Sequence, residues 1–168
     1  PHEEGLGQLD AGLLDVQEVA VVQRFAPAPP PRDISEDDTT TILREGVVSV
    51  IDMKRWTSVA AIKTNGPGFF MRSHENTPYA WVDAMNSPAK DTLQVIDKRT
   101  LAVVRSLTPA PGKTAAHVEF DRHGRYALVS IWENDGAIVV YDAATLEEVK
   151  RIAASKPVGK YNVWNKIS

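Results

Sequence analysis

Two of the four histidines stand where a strand pattern would hold them still. His74 follows the short apolar stretch Phe69–Ser73 and stands beside Glu75 in a turn. An unperturbed imidazole titrates at ~6.5, so it can hold and release a proton at working pH. Taken alone, His74 is either an exposed turn histidine or an acid–base group. His117 begins the stretch His117–Phe120, with Glu119 on the same face by the two-residue period of a strand. It is either a polar residue bonded to backbone or a ligand or acid beside a bound molecule. His123, in the turn Asp121-Arg122-His123-Gly124, is expected to be exposed and uninvolved, and His2 is terminal. Arg72 precedes the His74 turn, while Lys113 and Lys160 each follow a glycine in a loop. Such cations are solvated unless they reach a ligand.

Little other chemistry is available. The chain has no nucleophile elbow, no phosphate loop and no histidine–carboxylate cluster at metal spacing. His117 and His123, across a turn from each other, make a poor zinc pair, so no metal site is expected. The absence of cysteine excludes a disulfide framework, a thiolate metal site and a covalently attached c-type haem within this chain. A net charge of −3 gives no reason to expect nucleic acid or an anionic membrane as partner. No apolar run approaches the ~20 residues of a membrane span.

The elements that position these residues come from an internal repeat. Val50-Ile51-Asp52, Val95-Ile96-Asp97 and Val140-Tyr141-Asp142 are one phrase, with the aspartates 45 residues apart each time. Four residues after each aspartate comes a large apolar residue: Trp56, Leu101, Leu146. A second phrase, Tyr79-Ala80-Trp81-Val82, returns 47 residues later as Tyr126-Ala127-Leu128-Val129. Each copy follows a polar turn and, before that, another short strand. Four short strands in ~40–45 residues is the period of a propeller blade. The repeated aspartate, at a strand end, is expected to cap the next turn by accepting backbone N–H bonds. Trp81, Trp132 and Trp164 read as core or inter-blade packing.

The expected fold is therefore all-β: a partial propeller over residues 45–168. Residues 69–107 and 115–152 make two complete blades, 46–64 the outer two strands of an earlier one, and 157–168 the start of another. So few blades leave open edges, which implies further blades N-terminal to these or on another chain. Residues 1–44 carry nine acidic and three basic groups and the run Ala26-Pro27-Ala28-Pro29-Pro30-Pro31. They are expected to be an irregular acidic, Pro-rich segment, with a weak helix over the first part, while Val19–Val22 also suits a short strand. The start at Pro1 suggests a removed signal or a fragment.

Three phrases in order resemble the haem d1 domain of cytochrome cd1 nitrite reductase and the related haem d1 maturation proteins. These are Gly66-Pro67-Gly68-Phe69-Phe70-Met71-Arg72-Ser73-His74, Gly112-Lys113-Thr114-Ala115-Ala116-His117-Val118-Glu119-Phe120, and Lys156-Pro157-Val158-Gly159-Lys160-Tyr161-Asn162-Val163-Trp164-Asn165-Lys166. The resemblance covers about 46–168. It implies an eight-bladed propeller holding haem d1 over its central channel, with the proximal iron ligand in blades that this chain lacks. Two distal histidines would donate protons to nitrite as it is reduced to nitric oxide. His74 falls on one of them and Ile42 stands near the place of the other. His117 is the second candidate acid. Because haem d1 carries carboxylates, Arg72, Lys113 and Lys160 would hold it, with Gly159 letting backbone approach a flat ligand and Tyr161 and Asn162 adding a hydroxyl and an amide.

The expected function is thus that of a haem d1-binding oxidoreductase linked to denitrification. It is either nitrite reductase-like or a maturation enzyme acting on a haem d1 precursor, works with the missing blades, and is periplasmic by the same resemblance. The His117 phrase leans toward maturation. The alternative is a non-enzymatic propeller scaffold or fragment that mediates protein interaction.

Overall fold

The structure, a computed structural model, describes residues 19–25, 46–52 and 54–160. Among these residues eleven strands are formed: β1 Val19–Phe25, β2 Gly46–Asp52, β3 Thr57–Thr64, β4 Met71–Ser73, β5 Tyr79–Asp83, β6 Leu93–Asp97, β7 Ala102–Leu107, β8 Ala115–Phe120, β9 Tyr126–Ile131, β10 Ala137–Asp142 and β11 Glu148–Ala153. They make two four-stranded antiparallel sheets, β4-β5-β6-β7 and β8-β9-β10-β11, and a three-stranded sheet, β1-β2-β3. Each four-stranded sheet is a meander from an inner to an outer strand, which is the form of a propeller blade. The two complete blades fall where the repeat puts them.

The repeated aspartates close equivalent hairpins. Asp97 Oδ1 accepts the N–H groups of Arg99 and Thr100, at 2.9 and 2.8 Å. Asp52 Oδ1 serves Lys54 and Arg55 in the same way, and Asp142 Oδ1 serves Ala144 and Thr145. The apolar residue four positions on is left-handed each time, with φ of 53° at Trp56, 56° at Leu101 and 62° at Leu146. A register shift accompanies every one of these turns. Leu146 is buried in the core between the two complete blades and Leu101 packs on the core between the first and second sheets. Trp56, their counterpart in the first sheet, is 75% exposed.

The two-residue period of the strands sorts the cores. In β5, Trp81 joins the cluster shared with the third sheet, which includes Phe120, Val129 and Tyr141, whereas its neighbour Val82 joins Val48, Val50 and Ile62 of the first sheet. In β6, Val95 and Ile96 divide the same way. The central strands of the middle blade, β5 and β6, thus carry apolar residues on both faces, as a sheet packed between two others must. Trp81 is fully buried and its ring centroid lies 5.5 Å from that of Tyr141, while Trp132 is 39% exposed and so contributes less to packing than the sequence suggests.

The first sheet departs from expectation. Val19–Phe25 is a strand and pairs along its whole length with β2, from Val19 opposite Asp52 to Phe25 opposite Gly46. Tyr79 stands opposite Asp97 and Tyr126 opposite Asp142 in the same register. Val19-Ala20-Val21-Val22, whose sequence also suits a short strand, is therefore a third copy of the Tyr-Ala-x-Val phrase. β-Branched residues favour the strand, and pairing satisfies the edge that β2 would otherwise expose. The remaining expectations for residues 1–44, and those for Ile42, Tyr161, Asn162, Trp164 and a blade beginning near 157, fall outside the described residues, save that 157–160 form no strand.

Candidate functional site

β8 is not a continuous strand. Its pairing with β9 slips between Ala116 and Glu119, so that two residues oppose one, and His117 occupies this bulge with φ 52°. A left-handed conformation costs a non-glycine residue ~1–2 kcal/mol, and His117 is only 5% exposed. Neighbouring elements hold its peptide. Its N–H donates to the carboxylate of Asp83 at the end of β5. Its carbonyl accepts from Lys160 Nζ at 2.6 Å. Lys160, which follows β11, also donates to the Ser130 hydroxyl, and that hydroxyl bonds the Pro157 carbonyl.

An aromatic wall stands against the imidazole. The Phe70 ring meets it edge-on, with centroids 4.7 Å apart, and Phe69 meets Phe70 the same way at 5.0 Å. Phe69 is 66% exposed. Asp83 fixes this loop as well, accepting the N–H groups of Phe69 at 2.8 Å, Phe70 at 2.9 Å and Met85 at 3.2 Å. The segment before β4, the end of β5, the bulge of β8 and the segment after β11 therefore meet around His117.

Charge is concentrated in the same place. Arg72 Nε donates to Glu119 Oε1 at 3.1 Å, and the Glu119 side chain is 8% exposed. Arg72 and Glu119 hold equivalent places on the inner strands of adjacent blades: Arg72 pairs with Trp81, Glu119 with Leu128. Burial holds the His117 imidazole below its ordinary value. The Lys160 charge lowers it further, Glu119 opposes and Arg72 adds. The ring is therefore neutral at pH 7 and able to accept a proton. Burial also pushes the Lys160 ammonium down to about 8, with Glu119 acting against it. Burial raises the Asp83 carboxyl, and the N–H groups of Phe69, Met85, Phe70 and His117 work in the other direction.

The residues expected at the site do not all gather there. His117, Arg72 and Lys160 come together, and Gly159, at φ 77°, supplies the left-handed turn that delivers Lys160. Lys113 points elsewhere, paired with Asp135 at 2.6 Å. His74 lies in the turn between β4 and β5, against the turn between β8 and β9, and is 7% exposed. Its Nδ1 accepts the Asn76 N–H at 3.1 Å and its Nε2 donates to the Arg122 carbonyl at 3.2 Å. Lys98 Nζ donates to the His74 carbonyl at 3.0 Å. With both ring nitrogens committed to backbone groups, this histidine ties two blades together. His123 is exposed. Asp83, Ser130 and the Phe69–Phe70 pair carry no expectation from sequence, although Asp83 and Ser130 both follow the Tyr-Ala-x-Val phrase directly. A polar residue at the end of a buried strand must find partners, and that was the available signal. Among the described residues no cluster of metal-ligating side chains occurs, and no helix is long and apolar enough to cross a membrane.

Comparison with known proteins gives this arrangement a lineage. The family pattern described as the Cytochrome D1 heme domain matches residues 31–166, so it begins ahead of the first complete blade. A dihydro-heme d1 dehydrogenase of Pseudomonas aeruginosa is 56% identical over 128 residues, which are 76% of this chain and 26% of that protein. The solved structure of dihydro-heme d1 dehydrogenase NirN in complex with DHE superposes with a TM-score of 0.71 at 57% identity, over 74% of this chain and 27% of that one. The hydrazine synthase of Kuenenia stuttgartiensis, at 18% identity and a TM-score of 0.56 over 67% of this chain and 34% of its own, shares the fold alone. The chain thus spans about a quarter of the length of the dihydro-heme d1 dehydrogenases it matches. Blades in the predicted places and a family match across most of the sequence lead to one assignment: the chain belongs to the cytochrome d1 haem domain family.

Proposed function

We propose that this chain forms the C-terminal blades of a haem d1-binding propeller that acts in haem d1 maturation, oxidising a dihydro precursor of haem d1 to the finished group. The observation that carries this reading is the convergence on His117 of an exposed aromatic wall, two cations and a neutral buried imidazole.

The residues present fit such a ligand. Phe69, exposed beside Phe70, offers an apolar surface to a flat macrocycle. Arg72 and Lys160 offer positive charge to its carboxylates, Arg72 with a guanidinium whose fork suits a carboxylate. Gly159 leaves bare backbone where a ring must come close. The tetrapyrrole iron would supply redox chemistry when bound, and its proximal ligand is expected from blades beyond these. Dehydrogenation removes two hydrogens as two protons and two electrons, so it needs a one-electron acceptor outside this chain to take the electrons in turn, and a base to take a proton. His117 is suited to accept it, being neutral at pH 7 and fixed by its peptide rather than free to rotate away. Lys160, adjacent and cationic at pH 7, favours the return of the imidazolium to its neutral form. Two further expectations are carried by the family resemblance: a place in denitrification, and the periplasm as compartment. The reduction of nitrite itself is less well supported, because the histidine aligned with a distal proton donor, His74, is bonded through both nitrogens to backbone.

Titration of the chain with haem d1 and with its dihydro precursor, followed by visible absorbance, tests the reading. A saturable spectral change is expected, weakened severalfold in Phe69→Ala. In the protein carrying all blades, His117→Gln should retain binding but slow precursor oxidation by ~100-fold or more, the usual contribution of a positioned base. Spectra that do not respond to the chain, or full activity in His117→Gln, would defeat the proposal.

A further inference from the structure

His117 cannot hold its own conformation. It sits in a bulge where the β8–β9 ladder skips, so its N–H has no place in the regular pairing. Its φ of 52° is one that a side chain with a Cβ adopts only when its surroundings impose it. The acceptor that receives this N–H is Asp83, a residue of the preceding blade.

Asp83 is an unusual choice for a structural cap. It is 1% exposed, and burial works against its charge. The counterpart position in the next blade, 47 residues on, is Ser130, where a neutral hydroxyl is enough to serve Pro157 and Lys160. At Asp83 four peptide N–H groups converge instead: Phe69, Phe70, Met85 and His117. Only an ionised carboxylate has acceptor sites for four donors. Three of those donors belong to the imidazole and to the two rings stacked beside it. We propose that Asp83 is the positioning residue for His117, its carboxylate locking the imidazole and the Phe69–Phe70 wall into a single rigid unit across the blade boundary. What the unit is for rests on the reading of His117 given above; that Asp83 holds it does not.

The charges of Lys160, Glu119 and Arg72 act on the His117 ring. Loss of the Asp83 negative charge would by itself lower the ring's midpoint, so a rise on neutralising Asp83 reports movement of the ring and not loss of a nearby charge. The test uses the isotopically labelled 168-residue chain with no haem present. His117 ring titration and the nuclear Overhauser contact between the Phe70 and His117 rings are measured by NMR in the wild type, in Asp83→Asn, and in Asp97→Asn. The last removes a carboxylate that also receives backbone N–H groups, but in a hairpin turn. Asp83→Asn is expected to raise the His117 midpoint toward the ordinary value by at least about half a pH unit, about threefold in proton affinity, and to weaken the ring contact, while Asp97→Asn does neither. An unchanged midpoint and contact in Asp83→Asn, or equal changes in both variants, would overturn the proposal and leave Asp83 a simple cap. Should Asp83→Asn not fold, the wild type decides. The amide proton of His117 must then titrate with the same midpoint as the Asp83 carboxyl carbon, and different midpoints overturn the proposal. Because the sample holds no haem, failure of haem binding and failure of this inference are separate results.

Discussion

Replacing Gly124 by alanine would show whether His74 is a rivet between blades. Gly124 has φ 65°, and a Cβ built on it falls 2.4 Å from His74 Nδ1 and 2.8 Å from Cγ. The left-handed backbone alone costs alanine ~1 kcal/mol. The methyl group also needs the imidazole to move, and the imidazole is held through Asn76 and Arg122. Losing one such bond costs ~1 kcal/mol, and stranding a buried polar partner adds ~1–2 kcal/mol. Together these give ~3–4 kcal/mol of destabilisation, or roughly 15 °C in melting temperature for a domain near this size. Urea unfolding followed by tryptophan fluorescence measures it, with the m-value checked for constancy. The informative comparison is the same change in a His74→Ala background. There the methyl meets open space, its cost falls to ~1 kcal/mol, and the two substitutions couple by ~2 kcal/mol. A Gly124→Ala chain as stable as the wild type, or one that loses the same amount in both backgrounds, would refute the role given to His74.

Two further outcomes follow from the charges around His117. Arg72→Met leaves the Glu119 carboxylate buried without its guanidinium and should cost ~3 kcal/mol in denaturant unfolding, whereas adding Glu119→Gln should recover at least half of that, because the isolated charge is the expensive element; no recovery in the double variant would count against it. Lys160 binds its proton up to about 10.5 when unfolded but releases it near 8 in the fold. Between those values the unfolded chain carries more protons, so stability should rise as pH rises through that window. Melting curves from pH 7.5 to 10.5 should show this gain in the wild type and lose it in Lys160→Met, and identical slopes in the two would contradict the burial of that ammonium.

The blades were legible because their signals are local. A strand of alternating apolar residues, an aspartate that caps the next turn and a left-handed apolar residue after it recur at one spacing, and each is explained by bonds within a few residues. The first strand was legible only as one of two readings of Val19–Val22, and its place in the sheet escaped because its partner is far along the chain. Val19 pairs with Asp52, 33 positions away, where Tyr79 and Asp97 are separated by 18 and Tyr126 and Asp142 by 16. The phrase was repeated, but the insertion between its halves hid it. The site divided along the same line. Histidines, arginine and lysines could be picked out by residue type, but type does not say which way a chain is facing. Lys113 turned to Asp135 and His74 to two backbone groups, while the bulge that turns His117 inward left no mark in the residues around it. Asp83 was missed because its meaning lies in four N–H groups drawn from three segments, two of them in its own blade and one in the next.

The exposed indole of Trp56 gives the molecule an optical label of its own. Its counterparts Leu101 and Leu146 each sink into an inter-blade core, whereas Trp56 lies open at 75% exposure and Trp81 is wholly enclosed. Indole emission shifts to shorter wavelength and escapes quenching by dissolved iodide when water is removed from it. With Trp132 and Trp164 replaced by phenylalanine, fluorescence of the chain therefore separates a sealed interior at Trp81 from an open flank at Trp56, and anything that comes to cover that flank announces itself as a blue-shifted, quencher-resistant second tryptophan, with no dye attached.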